Sequence, residues 1–260
     1  MSSEPRVGFR TVDGLRIRYA DSDGPASQHL VLASPWPQSL HAFDRLRPLL
    51  SAIARLLAID PPGFGRSEPR SELLTPMAMS EFLIRVLDEW EIADPHLICP
   101  GAGTPAALLA AARHPGRMQS LVVSGVAHPH APDSDVIAGY LKSNNNDRFA
   151  EAARYVRSYP DQLPLLAGLL PGIFTPVQII AGRRDPLVPV ANAELLAARL
   201  PNSRLDVLDS GPLVWEEASA QYGAIVAEWV SGGYLTGRIT FGQVLIRNSA
   251  FGGWRKNFRR

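Results

Sequence analysis

The 260-residue chain holds a single cysteine, Cys99, so it has no internal disulfide framework and no basis for a cysteine-rich metal site. No stretch approaches the ~18 consecutive apolar residues of a membrane span. The opening Met-Ser-Ser-Glu-Pro has no charged segment leading into an apolar one, so no secretory signal is expected and a cytoplasmic location is the expectation. Lysine is nearly missing: Lys142 and Lys256 stand against 24 arginines, a bias of genome composition rather than of mechanism. Histidine stops at His130, leaving the C-terminal half without an imidazole base. Acidic residues stop at Glu228, whereas residues 231–260 carry Arg238, Arg247, Arg255, Lys256, Arg259 and Arg260. The net charge of +1 therefore divides into an acidic body and a basic tail. Its basic residues are too sparse, beside an acidic body, for a nucleic-acid interface.

What is present has a regular rhythm. Two alternating stretches, Val7 to Val12 and Leu15 to Tyr19, flank Asp13-Gly14, a dipeptide that favours the tight turn of a hairpin. Short apolar runs follow at His29 to Ala33, Arg55 to Ile59, His96 to Cys99, Ser120 to Ser124, Val177 to Ala181 and Leu205 to Leu208. Their length and continuity suit strands covered on both faces. Helical patterns lie between them at Thr75 to Trp90, Thr104 to Arg113, Asn192 to Leu200 and Trp215 to Val230. The alternation predicts an α/β fold with a mostly parallel central sheet and helices on both faces. Residues 127–172 break the rhythm with helical pieces, including one from Asp147 to Tyr159, and no strand, the pattern of a small cap over a site. The expected organisation is a core in two parts, 1–126 and 173–231, the cap at 127–172 and a basic C-terminal extension at 232–260. In that extension, Ile239 to Ile246 is open to reading as a strand, an interface segment that could join two copies of the chain, or a tail beyond the domain.

In an open α/β sheet, ligands bind beyond the carboxyl ends of the strands. The loops at those ends resemble the α/β-hydrolase superfamily over about residues 7–231, especially its epoxide-hydrolase-like and dehalogenase-like branches. Asp60-x-Pro-Gly-Phe-Gly-x-Ser67 is similar to that family's Asp-x-Pro-Gly-x-Gly-x-Ser loop. Gly182-x-x-Asp185-Pro186-x-x-Pro189 is similar to the loop that presents the triad's acid, and Asp209-Ser-Gly before Trp215-Glu216-Glu217 to the segment that ends in its histidine. The resemblance implies an α/β-hydrolase fold and a nucleophile–histidine–acid triad.

The residues at two of those three positions are not the implied ones. The five residues matching the nucleophile elbow are Cys99-Pro-Gly101-Ala-Gly103, which places Gly101 where the nucleophile belongs. Pro212 follows Gly211 where the histidine belongs, and Ser34-Pro35 replaces the His-Gly that opens the oxyanion loop. Only Asp185 keeps the family's type. A lone acid does not run a mechanism in which nucleophile and base cooperate.

The leading expectation is therefore a cofactor-free, non-hydrolytic enzyme of bacterial specialised metabolism that cyclises, eliminates or isomerises a small apolar substrate. Asp185 is the expected base. Ser34, Trp36, Gly101, Ala102 and His128 are the expected substrate-binding residues, with the amides of Trp36 and Ala102 polarising a carbonyl. Two alternatives stay open: a non-catalytic protein binding a ligand or partner, and a hydrolase with displaced catalytic groups, for which Cys99 or His128 would have to reach the elbow. His130 shares the proline-rich segment of His128, and His41 reads as a helix-terminus residue. No metal site, nucleic-acid partner or membrane contact is expected.

Overall fold

A computed structural model describes residues 5–22, 24–25, 27–125, 153–236 and 246–248. Its first two strands, β1 (Arg6–Val12) and β2 (Leu15–Asp21), form the antiparallel hairpin that the Asp13-Gly14 turn predicts. Both turn residues have positive φ, +50° and +76°, as a two-residue turn matched to strand twist requires. Seven further strands follow: β3 (His29–Ala33), β4 (Arg55–Ile59), β5 (His96–Pro100), β6 (Ser120–Ser124), β7 (Val177–Gly182), β8 (Ser203–Leu208) and β9 (Ile246–Asn248). The sheet runs in the order β1-β2-β4-β3-β5-β6-β7-β8-β9 and is parallel from β4 onward.

Alternate residues of one strand enter opposite cores, as the period of two demands. Val31 and Ala33 join the core that holds Phe82 and Leu109, whereas Leu30 and Leu32 join the one that holds Phe43 and Tyr222. On the first face lie α2 (Pro76–Glu89) and α3 (Thr104–Arg113), named after the short α1 (Arg47–Leu50). Thr75 caps α2, its hydroxyl accepting from the Ala78 amide at 3.2 Å, with Pro76 at the first helical position. Then come α4 (Tyr159–Leu169) and α5 (Val190–Arg199). The predicted single helix from Trp215 to Val230 is two: α6 (Val214–Glu217) and α7 (Ser219–Glu228), broken at Ala218, whose φ of −120° leaves the helical region.

The sheet does not end where the sequence resemblance ends. β9 lies inside the basic extension and pairs in parallel with β8, Asp206 opposite Arg247. Part of residues 232–260 is thus integral to the fold. Of the expected cap, the described part is helical at 153–157 and along α4, and Gln162 Oε1 accepts the Met77 amide at 3.2 Å, fastening it to the start of α2. The region of the expected Asp147 cap, with His128 and His130, falls outside the described residues. No helix among the described residues is long and apolar enough to cross a membrane.

Candidate active site

The loops after β3, β4, β5, β7 and β8 meet at the carboxyl edge of the parallel strands, and a buried carboxylate organises the first two. Asp60, wholly inaccessible at the end of β4, accepts from the Leu40 amide (2.6 Å), Ser34 Oγ (3.0 Å) and the Arg66 amide (3.0 Å). Arg18 Nη1 stands 3.7 Å from its Oδ2. Burial pushes the Asp60 carboxyl above the usual carboxylate range, opposed by those hydrogen bonds and by Arg18. The turn after it depends on glycine: at Gly65, φ is +47° and a β-carbon would lie 2.1 Å from Asp60 Oδ2. Ser67 Oγ closes the loop by donating to the Asp60 carbonyl at 2.5 Å. Ser34, an expected substrate-binding residue, therefore spends its hydroxyl inside the protein. Trp36, two residues on, is half-buried against the core.

The elbow forms where the strand–turn–helix pattern places it. Gly101 follows β5 with φ +61°, opens a 3₁₀ turn through Gly103, and leads into α3. Thr104 Oγ1 fastens the turn from below through the carbonyls of Cys99 and Ser124, each at 3.0 Å. Tyr159 donates from α4 to the Ala102 carbonyl at 3.2 Å, joining the helical layer to the elbow. A β-carbon at Gly101 would lie 3.4 Å from Pro35 Cβ and 3.7 Å from Trp215 Cη2, so the elbow sits against two apolar side chains.

Cys99 does not supply a displaced nucleophile. Its side chain is wholly buried, and burial pushes the thiol up to about 12, far from forming a thiolate at neutral pH. His41 is at the surface, its Nδ1 3.2 Å from Asp44 Oδ2 and its Nε2 3.0 Å from Arg18 Nη2.

Asp185 occupies the loop after β7. Its Oδ1 accepts from the amides of Leu187 (2.8 Å) and Val188 (2.9 Å), while Oδ2 has no hydrogen-bond partner among the described residues. Burial, the largest influence, raises its proton affinity; the two amides oppose this and the charge of Glu217 adds to it. The neighbouring turn packs without clearance: a β-carbon at Gly182 would lie 2.1 Å from the Gly211 carbonyl oxygen. Pro212 has no amide hydrogen, and the amides on either side of it are both held by Glu217, Gly211 N–H at 2.7 Å and Leu213 N–H at 3.1 Å. Asp60, Glu217 and Trp215 were not singled out from sequence as site residues. The motif around Asp60 is the one available signal: Trp215 acquires its role through Gln38 in a distant loop, and Glu217, whose partners Gly211 and Leu213 are near it in sequence, follows no recognisable motif.

Comparison with known proteins bears on this geometry. The family profile of the alpha/beta hydrolase fold matches residues 28–158, half of the chain. An uncharacterized hydrolase of Bacillus subtilis is 25% identical, the alignment covering 85% of this chain and 96% of that protein. A putative carbamate hydrolase of Caulobacter vibrioides is 28% identical over 76% of this chain and 88% of that one. Among solved structures, a thermophilic esterase from Thermogutta terrifontis superposes with a TM-score of 0.73 at 17% identity, covering 90% and 99%. These relatives correct the leading expectation from sequence. Proteins similar along most of this chain are named as hydrolases, and none of these names supports cyclisation, elimination or isomerisation.

Proposed function

The chain belongs to the alpha/beta hydrolase fold family, and from that premise we propose that it is a hydrolase of small esters or carbamates that works without the elbow side chain and histidine of its family's usual triad. The observation carrying this reading is the state of Asp185: one carboxylate oxygen is held by two backbone amides and the other is left without a partner among the described residues. Such a group is oriented yet able to take a proton, and its burial moves its proton affinity toward that of a useful base. The names of similar proteins, which include a putative carbamate hydrolase and a pimeloyl-[acyl-carrier protein] methyl ester esterase, support the class of bond.

In this reading water is the nucleophile, because Gly101 offers none. Asp185 accepts a proton as the water oxygen adds to the carbonyl carbon, and the carbonyl electron pair moves onto oxygen. The amides of Ala102 and Trp36 steady that oxygen, the function the family gives to this place. Collapse breaks the bond to the leaving oxygen or nitrogen, which takes the proton back from Asp185. One water is consumed, and an acid is released with an alcohol, or a carbamic acid with its partner. The test is hydrolysis by the purified full chain of p-nitrophenyl acetate, p-nitrophenyl butyrate and phenyl carbamate. Turnover above buffer supports the reading; release equal to buffer for all three contradicts it.

A second reading, a binder that does not turn its ligand over, is favoured by Pro35 and Trp215 lying against Gly101. Saturable binding of these compounds with no turnover would select it.

A further inference from the structure

We propose that Trp215 determines substrate specificity: its indole, fixed in angle by Gln38, roofs the elbow and admits only substrates with a compact acyl group. This rests on the hydrolase reading for its substrate class, and its geometry stands separately. Trp215 is 2% exposed, in a helix that begins one residue after the Pro212-Leu213 pair. Its Cη2 edge lies 3.7 Å from where a β-carbon of Gly101 would be, and Pro35 Cβ lies 3.4 Å from the same point. The space above the elbow, which a carbonyl carbon must share with its acyl chain, is thus bounded by an indole and a pyrrolidine ring.

The indole is held as well as packed. Trp215 Nε1 donates to Gln38 Oε1 at 3.2 Å, and Gln38 Nε2 donates to Glu216 Oε1 at 2.5 Å. Arg45 Nη1 donates to the Glu216 carbonyl at 3.1 Å. One glutamine from the loop after β3 therefore bonds to two successive residues of α6: its bond to Glu216 holds the amide in place, and the ring cannot swing without breaking its bond to that amide. A rigid wall discriminates by size, because close-packed side chains yield little to an added methylene. A long acyl chain would have to displace the indole and leave Gln38 unsatisfied, a cost that a short one avoids.

The experiment compares wild type, Trp215→Ala, Trp215→Phe and Gln38→Leu with p-nitrophenyl acetate, butyrate and octanoate. A parallel arm measures binding of acetate, butyrate and octanoate by calorimetry and needs no turnover. Trp215→Ala is expected to raise the octanoate-to-acetate ratio of kcat/KM, and of affinity, at least about tenfold. Gln38→Leu is expected to raise it less, and Trp215→Phe least. An unchanged ratio in both arms, with circular dichroism showing folded protein, overturns the proposal. If Trp215→Ala does not fold, the Gln38→Leu ratio decides in the same way. A shift in the binding arm with no turnover by any of the proteins supports the assignment of Trp215 while the hydrolase reading fails.

Discussion

Gly65 lies against Asp60 so closely that a β-carbon on it would stand 2.1 Å from the carboxylate oxygen Oδ2. That contact lets a wholly buried acid receive the Arg66 amide on the same oxygen while Oδ1 receives Ser34 and Leu40. One carboxylate thereby fixes the positions of the loops after β3 and β4, including Trp36.

Gly65→Ala should therefore be costly twice over. The residue would be placed at a φ of +47° that side chains disfavour, and Asp60 would be pushed off its donors. Together these should lower unfolding stability by more than about 3 kcal/mol. Urea denaturation of the variant checks this, and a loss below about 1 kcal/mol would show that the loop adjusts freely.

The elbow gives a second prediction. Gly101 already has the left-handed backbone of a nucleophile elbow, and a β-carbon there meets its nearest neighbours at 3.4 and 3.7 Å. The Gly101→Ser and Pro212→His substitutions together should therefore create a covalent route that neither creates alone, since nucleophile and base act as a unit. A burst of p-nitrophenol at least about tenfold above either single variant is expected. A folded double variant with no burst would mean that residues 101 and 212 are not placed to cooperate.

His96 gives a prediction independent of function. It is wholly buried, with Nδ1 2.7 Å from Ser120 Oγ. That hydroxyl also accepts from Trp229 Nε1 at 2.8 Å, and burial favours the neutral form of the imidazole. Burial lowers its pKa from 6.5 to about 4, against the opposing charge of Asp94. The unfolded chain binds the proton first as pH falls, so stability declines through the window between those values. The slope approaches about 1.4 kcal/mol per pH unit, and the stability is fully present above 6.5. Urea midpoints of wild type and His96→Asn across this window check it: the wild type should lose more, and equal slopes would contradict the buried neutral state.

Much of this architecture is legible in the sequence because it depends on neighbours along the chain. Asp13-Gly14 specifies its own turn, Thr75-Pro76 starts its own helix, and the apolar runs mark the central strands whatever covers them. The elbow is likewise local, since a strand, a glycine turn and an alanine-rich helix follow in order. The rest depends on residues far apart. Asp60 is met by Ser34 and Leu40 from another loop, and Gln38 reaches Trp215 across a separation of 177 residues. Neither pairing has a periodicity or spacing that announces it. β9 is three residues long and gains its register only from β8, so the basic composition around it reads as a tail. The expectation of non-hydrolytic chemistry came from reading Gly101 and Pro212 as the loss of a reaction. The water route needs neither side chain.

If Asp185 is the base, kcat/KM of Asp185→Asn against wild type across pH should reveal it. Asparagine keeps a carbonyl oxygen for the Leu187 and Val188 amides but cannot take up a proton from water. The substitution should lower kcat/KM on the best ester or carbamate by about 10² or more. The wild-type rate should fall as the carboxylate protonates on acidification, with its midpoint above the ordinary aspartate value of 3.8 because burial raises it. A folded Asp185→Asn protein with wild-type kcat/KM and the same acid limb would show that Asp185 is not the base.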